Sequence, residues 1–176
     1  MRERLENLLG AFVTATAGTL DLAVETAARR GGSAPAALAL LLETPGRSIE
    51  GLRTPLGLSH SATVRVVDNL ERDGLVMRRP GADGRTVSLM LTGAGRRRAE
   101  SVRLLRAQAM HHALRHLRPA ERRQLESILE RVLATAAVDH ERDEVCRLCD
   151  HAVCPERRCP VARQLLAQTG GATRFA

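Results

Sequence analysis

The sequence predicts a mainly α-helical protein with one small β-hairpin held between long helices, and three observations carry that expectation. Apolar residues recur at helical spacing along most of the 176 residues. Serine, threonine and glycine stand where helices would start and stop. Two short β-prone runs, Leu75 to Arg79 and Thr86 to Leu91, flank a turn containing Asp83-Gly84, which is a hairpin signal.

Taken in order, Arg2 to about Arg30 carries Leu5, Leu8, Leu9, Phe12, Val13, Leu20 and Val24 at helical spacing and ends at Gly31-Gly32, a glycine stop. Ser33 is placed to cap a second helix, with Pro35 tolerated in its first turn. That helix runs through Leu42 to Pro45-Gly46 and is apolar almost all round, so it is expected in the core. Ser48 caps a third helix that closes at Gly57. Gly51 and Pro55 weaken it, because proline lacks an N–H and crowds the carbonyl four residues back. The helix is therefore either short or bent in its last turn.

Ser59 caps a fourth helix ending at Asp73-Gly74. On a wheel of about 100° per residue, Thr63, Val66, Val67 and Leu70 share one side, and Ser61, Val64, Arg65, Asp68 and Arg72 the other. The first face is core. The second offers hydroxyl, methyl and guanidinium groups near the helix start, which suits entry into a major groove N-terminus first. Helix, glycine turn, helix and basic hairpin, from Ser48 to Thr92, make the outline of a winged helix-turn-helix. Arg78, Arg79 and Arg85 give the hairpin a positive base and tip suited to phosphates or a minor groove.

Thr92 caps a long helix from Gly93 to about Leu117 that opens on Arg96-Arg97-Arg98. Three cations in a first turn oppose the helix dipole and call for a partner: Asp83, other nearby acids, or DNA phosphate. Pro119 starts a further helix in which Leu125, Ile128, Leu129, Val132, Leu133 and Ala136 form a stripe too apolar to leave exposed. Thr169 to Ala176 reads as a fraying end.

The formal charge is +7, and all 27 basic residues are arginine. A basic balance fits a polyanionic partner, while the missing lysine reads as the codon use of a GC-rich genome. Phe12 and Phe175 are the only aromatic residues, so single strands would find no stacking platform and duplex DNA is the better partner. The sequence has no phosphate-cradling glycine motif, serine elbow or evident carboxylate pair, and an enzyme is not expected. His112 and His116 have chelating spacing, but Arg115 stands between them and they read as surface histidines. No apolar run approaches the roughly 18 uncharged residues of a membrane helix, and the charged N-terminus does not resemble a signal peptide. The expectation is a cytoplasmic protein without membrane partners.

Cys146, Cys149, Cys154 and Cys159 form a C-x2-C-x4-C-x4-C cluster. Thiolates so spaced can close a tetrahedral shell, and a structural zinc knuckle is the leading reading. An iron–sulfur cluster, which also takes four thiolates and often a Cys-Pro pair such as Cys159-Pro160, is the alternative. A metal-free disulfide switch stands behind both. Arg142, Arg147, Arg157 and Arg158 would offset a tetrathiolate. His140 and His151 are substitute ligands that read first as surface histidines.

The run from Leu58 to Val76, with Asp83-Gly84-Arg85 and Leu91-Thr92-Gly93-Ala94-Gly95, resembles the MarR family of bacterial transcription regulators. The resemblance covers roughly residues 5 to 140 and leaves the cysteine segment outside it. Val64 stands where the family often has threonine, and Gly84 interrupts a wing tip that is often more charged. The resemblance implies a homodimer in which first and last helices of two chains interdigitate over a pseudo-palindromic operator. It also implies a small-molecule effector, and a repressor as the direction of control. The organisation expected is a dimerisation helix over 1–32, a DNA-binding domain over 33–92, dimerisation helices over 93–140, a metal-binding segment over 141–168 and a tail over 169–176. Ser61, Val64 and Arg65 should face base edges with His60 at their flank and Ser59 mainly a cap. Arg78, Arg79 and Arg85 should engage the backbone or minor groove, with Asp83 orienting Arg85. The alternative is a winged-helix interaction module with a structural metal knuckle and no operator.

Overall fold

A computed structural model describes residues 2–81, 86–136 and 142–168. The wing tip with Asp83 and Arg85, His140, and the C-terminal tail lie outside the described residues. In chain order the elements are α1 (Arg2–Ala28), α2 (Ala34–Glu43), α3 (Ile49–Leu56), α4 (His60–Arg72), β1 (Val76–Pro80), β2 (Val87–Leu91), α5 (Gly93–Ala113), α6 (Pro119–Ala136), α7 (Arg142–Cys146) and α8 (Pro160–Gln168). A 3-10 turn, Glu156–Arg158, precedes α8. The fold is mainly α with one antiparallel hairpin, the winged helix-turn-helix that the sequence predicts.

The main core forms where α1, α2, α4, the hairpin and α5 meet. It contains Val24, Leu38, Leu41, Leu52, Val67, Leu70, Leu89 and Val102. Helix α2 is buried from Ala34 to Leu41, as its all-round apolarity requires. The hairpin pairs Val76 with Leu91 and Pro80 with Val87, so Val76 and Leu89 point inward. Thr92 ties this unit to α5: its hydroxyl accepts from Gly95 N–H at 3.0 Å and donates to the Gly74 carbonyl at 2.7 Å. Gly95 itself is required, since a Cβ there would lie 1.8 Å from the Leu75 carbonyl oxygen.

Three expectations need correction. Helix α1 stops at Ala28, and the residue that turns left-handed directly after it is Arg29 (φ 52°), with Gly32 (φ 67°) following. Glu25 holds this turn by accepting from Gly32 N–H at 2.8 Å. Ser33 makes no side-chain cap on α2; its backbone is already helical. The expectation that no run is apolar enough for a membrane helix is also corrected: by length and composition alone Glu3–Ala28 is long and apolar enough, with a mean hydropathy of 1.3. Charged residues interrupt this helix, and its threonines bond back to their own turns, as Thr16 does to the Phe12 carbonyl. The C-terminal part of α1 packs along α5, where Val24, Ala27 and Ala28 enter the core.

Two apolar faces lie outside that core. On α1 they are Leu5, Leu8, Leu9, Phe12 and Val13, and on α6 Ile128, Leu129, Val132 and Leu133.

Candidate nucleic-acid interface and cysteine cluster

Helix α4 is amphipathic in the sense predicted. Thr63, Val67 and Leu70 are fully buried, and the Thr63 hydroxyl is satisfied by donating to the Ser59 carbonyl at 3.0 Å. Ser59 caps the helix by accepting from Ala62 N–H at 3.3 Å. Helix α3 ends at Gly57 in the left-handed conformation (φ 62°), so the turn between the two helices is fixed by glycine. On the outer face Ser59, His60, Ser61 and Arg65 are exposed and Val64 is half-buried. Arg65 makes no ion pair among the described residues, and its side-chain hydrogen bond there is a long donation to the Ser61 carbonyl, 3.4 Å. His60 Nδ1 lies 3.7 Å from Glu50, whose carboxyl Arg53 and His60 together hold below the usual carboxylate range.

The hairpin arginines divide. Arg79 is exposed, and among the described residues it makes a weak donation to the Met77 sulfur at 3.4 Å. Arg78 is half-buried and clamped between Asp68, at 2.7 Å, and Glu71, both on α4. The sequence pattern grouped Arg78 with the wing's free cations, but its strand position points it back at the helix, where two carboxylates await. Asp68 itself is thereby turned from the solvent face to a structural role. Of the cations at the start of α5, Arg98 reaches the Ala27 carbonyl at the end of α1, at 3.4 Å, a helix C-terminus that complements its charge. On α5 and the turn after it, Arg115 donates to both His112 and His116 at 2.7 to 2.8 Å, so those histidines are engaged with an arginine.

The four cysteines fold into a second, smaller core of Cys146, Cys159, Val161 and Ala162, with Cys149 and Cys154 packed against it. All four are free thiols. The Cys146 and Cys159 sulfurs are 4.0 Å apart. Cys146 bonds to Cys149, which pushes the Cys146 thiol up and draws Cys149 down to about 6, helped by Arg106 and Arg142. Burial, then Cys159, raises Cys154. Among the described residues no group of three or more His, Cys, Asp or Glu side chains already converges as a cation site. Of the arginines expected near the thiols, Arg142 and Arg158 are there, whereas Arg147 turns to the Glu144 carbonyl at 2.6 Å and Arg157 is exposed. Arg106, from α5, places Nη2 3.9 Å from the Cys149 sulfur and was not foreseen. Its side chain lies 43 residues away in sequence, and no local pattern points to it.

The cysteine segment is bolted to the reading domain. Asp143 on α7 meets Arg47 at 2.6 Å. Asp150 meets Arg103 at 3.2 Å, and Arg103 meets Glu43 at 2.9 Å. His151 lies 3.6 Å from the same Glu43. Arg47 also donates to the Gly51 carbonyl at 3.1 Å, the acceptor that Pro55 leaves without its usual helical partner. The half-expected bend in α3 is thus an arginine-repaired last turn.

Comparisons with known proteins agree with this architecture. Residues 36–87 match the model of the MarR family. Among solved structures, YusO of Bacillus subtilis aligns with TM-score 0.65 at 20% identity, covering 74% of this chain and 93% of that one. A Mycobacterium tuberculosis MarR family protein solved in complex with DNA aligns with TM-score 0.59 at 22% identity, over 73% and 96% of the two chains. A MarR family regulator from Silicibacter pomeroyi aligns with TM-score 0.55 at 26% identity, over 73% and 86%. No curated protein matches the sequence. At these identities the first two likenesses speak for the fold alone. The segment 36–87 is thus similar to the MarR family, and the chain shares its fold with these solved structures.

Proposed function

We propose that this chain is a sequence-specific duplex-DNA-binding transcription regulator, a repressor acting as a homodimer on a pseudo-palindromic operator. The observation that carries the reading is the two-sided α4: Thr63, Val67 and Leu70 fixed in the core, and Ser61 and Arg65 presented outward with the Arg65 guanidinium unclaimed by any carboxylate among the described residues. Arg65 is the guanine reader, Ser61 and Val64 flank it, and His60 sits at the helix start where amides favour a phosphate. Arg79 serves the backbone. Arg78 is a brace that fixes the wing to α4 through Asp68 and Glu71, not a contact. The exposed apolar faces of α1 and α6 supply the dimer surface. The Mycobacterium tuberculosis relative's complex with DNA supports the partner class. Operator affinity answers to the cysteine segment or to a small ligand.

The test uses a duplex enriched by the protein from a random-sequence library and a shuffled duplex of the same composition. Arg65→Ala should weaken the enriched duplex by about 1 to 3 kcal/mol and the shuffled one much less. Equal losses would reduce Arg65 to a phosphate contact. Wild-type affinity should fall steeply with salt, and no salt-dependent duplex binding would leave the interaction-module reading in its place.

A further inference from the structure

The cysteine core has an unpaid electrostatic account. Arg106 and Arg142 have their Nε groups buried without a hydrogen-bond partner, and both guanidinium groups bear on Cys149. Arg158 bears on Cys154. Arg142 has one carboxylate, Glu156 at 3.2 Å, while Arg106 makes no ion pair among the described residues and has the Cys149 sulfur at 3.9 Å, so part of this positive charge lacks a counter-ion, and buried unpaired donors are costly. A doubly negative tetrathiolate centre would balance them. Its size is also indicated. Sulfurs around one tetrahedral zinc, at about 2.3 Å each, stand roughly 3.8 Å apart, close to the 4.0 Å between Cys146 and Cys159. A [4Fe–4S] cluster puts each thiolate on a separate iron and holds them farther apart.

We infer that Cys146, Cys149, Cys154 and Cys159 form a mononuclear four-thiolate centre of the zinc type, and that filling it seats α3 of the helix-turn-helix through Asp143 and Arg47. Side-chain rotations of Cys149 and Cys154 within their loop complete the shell. Each thiol releases its proton to solvent as its sulfur takes a place on the metal, so loading is favoured as pH rises. The second half follows from what the segment grips. Asp143 stands three residues before Cys146 and holds Arg47, and Arg47 holds the Gly51 carbonyl of α3 and, by its own carbonyl, the Leu89 N–H of β2 at 2.9 Å. A centre that fixes the end of α7 therefore fixes the turn of α3 that Pro55 would otherwise leave open. The regulatory half rests on the proposed DNA reading; the metal half does not.

The experiment begins with metal alone. Full-length protein should carry about one zinc per chain by mass spectrometry, and cobalt in its place should give the charge-transfer and visible bands of tetrahedral thiolate ligation. The double variant Cys149→Ser, Cys154→Ser should lose both signals while the main core keeps its helical circular dichroism. No stoichiometric zinc, equal binding by the variant, or a brown protein with acid-labile sulfide would overturn the zinc centre. Wiring is then read by amide hydrogen exchange across Ile49–Leu56, without DNA. Protection there should drop when zinc is removed from the wild type, and Asp143→Asn should show the drop while still holding its zinc. Protection that ignores both changes overturns the wiring. On the enriched duplex, Asp143→Asn should bind about tenfold more weakly than zinc-loaded wild type. If exchange responds but wild type binds no duplex, the wiring stands and the regulator reading falls. If duplex binds and Asp143→Asn matches wild type, the regulatory half of the inference falls.

Discussion

The molecule has two cores of unequal kind. The first is held by size: Leu38, Leu41, Leu52, Leu70 and Leu89 are fully buried, and each aliphatic side chain so buried is worth about 1.5 to 3 kcal/mol. The second has nothing larger than valine in its buried centre, with two sulfurs, Val161 and Ala162. So small a set cannot order the loop around it by burial alone, and the loop is instead fastened by ion pairs to the first core's helices. The reading head is self-supporting, and the cysteine segment depends on attachment and on what its sulfurs bind.

The largest expected effect attacks the first core. Leu70→Ala removes a fully buried side chain beneath the recognition face and should destabilise the chain by about 2 to 5 kcal/mol in chemical denaturation. Because the second core hangs on the first, α7 and α8 should lose exchange protection in the same transition. Persistence of the cysteine segment after the first core has unfolded would show that the two are independent.

The reverse attack should be milder and one-directional. Arg103→Ala strips Glu43 and Asp150 of their shared cation, at a cost of about 1 to 2 kcal/mol given that the pair is only partly buried. Exchange should quicken in the cysteine loop while Leu38 to Leu41 stay protected. A loss of protection in α2 equal to that in the loop would mean that Arg103 holds the main core together as well.

A third change tests the junction between the hairpin and α5. Thr92→Ala removes both the cap on Gly95 and the bond to the Gly74 carbonyl, and should cost about 1 kcal/mol, with Thr92→Ser restoring most of it. Failure of the serine variant to recover would shift the role from the hydroxyl to the methyl group's packing.

How much of this was legible in the sequence follows the same division. Helix α4 could be read because caps, a glycine stop and a period of 3.6 all concern neighbours in the chain, and Ser59, Thr63, Leu70 and Gly74 stand where that reading puts them. The role of Arg78 could not, because its partners Asp68 and Glu71 meet it only after the chain has turned at Gly74 and started β1. Ser33 shows the limit of a local signal: a good capping residue does not cap when the tight turn from Arg29 to Gly32 already leaves its backbone helical. Asp83 and Arg85, at the wing tip, lie outside the described residues, so their part of the reading stands as an expectation. For the cysteines, the spacing announced a cluster, but Arg47, Arg103 and Arg106 come from positions 43 to 96 residues distant. Nothing in a spacing pattern encodes which distant arginine will face a thiol.

The smallest effect lies at the seam between α1 and α4, where Arg30 donates to Asp73 at 2.7 Å in an exposed pair. Asp73 follows α4 directly, and the Arg30 guanidinium holds its carboxyl below the ordinary range, with Arg72 and Arg98 adding to the field. The sign follows from the lowered value. Asp73 binds its proton more weakly folded than unfolded, so the pair's stabilisation is present above the unfolded carboxylate pKa of about 3.9 and fades as pH drops through the folded value. Asp73→Asn should therefore be slightly less stable than wild type near neutral pH and indistinguishable from it in strong acid. Solvent screening keeps the difference small, and added salt should shrink it further. If the gap between the two proteins instead stays constant from neutral pH into acid, the aspartate acts through its position after α4 and not through its charge.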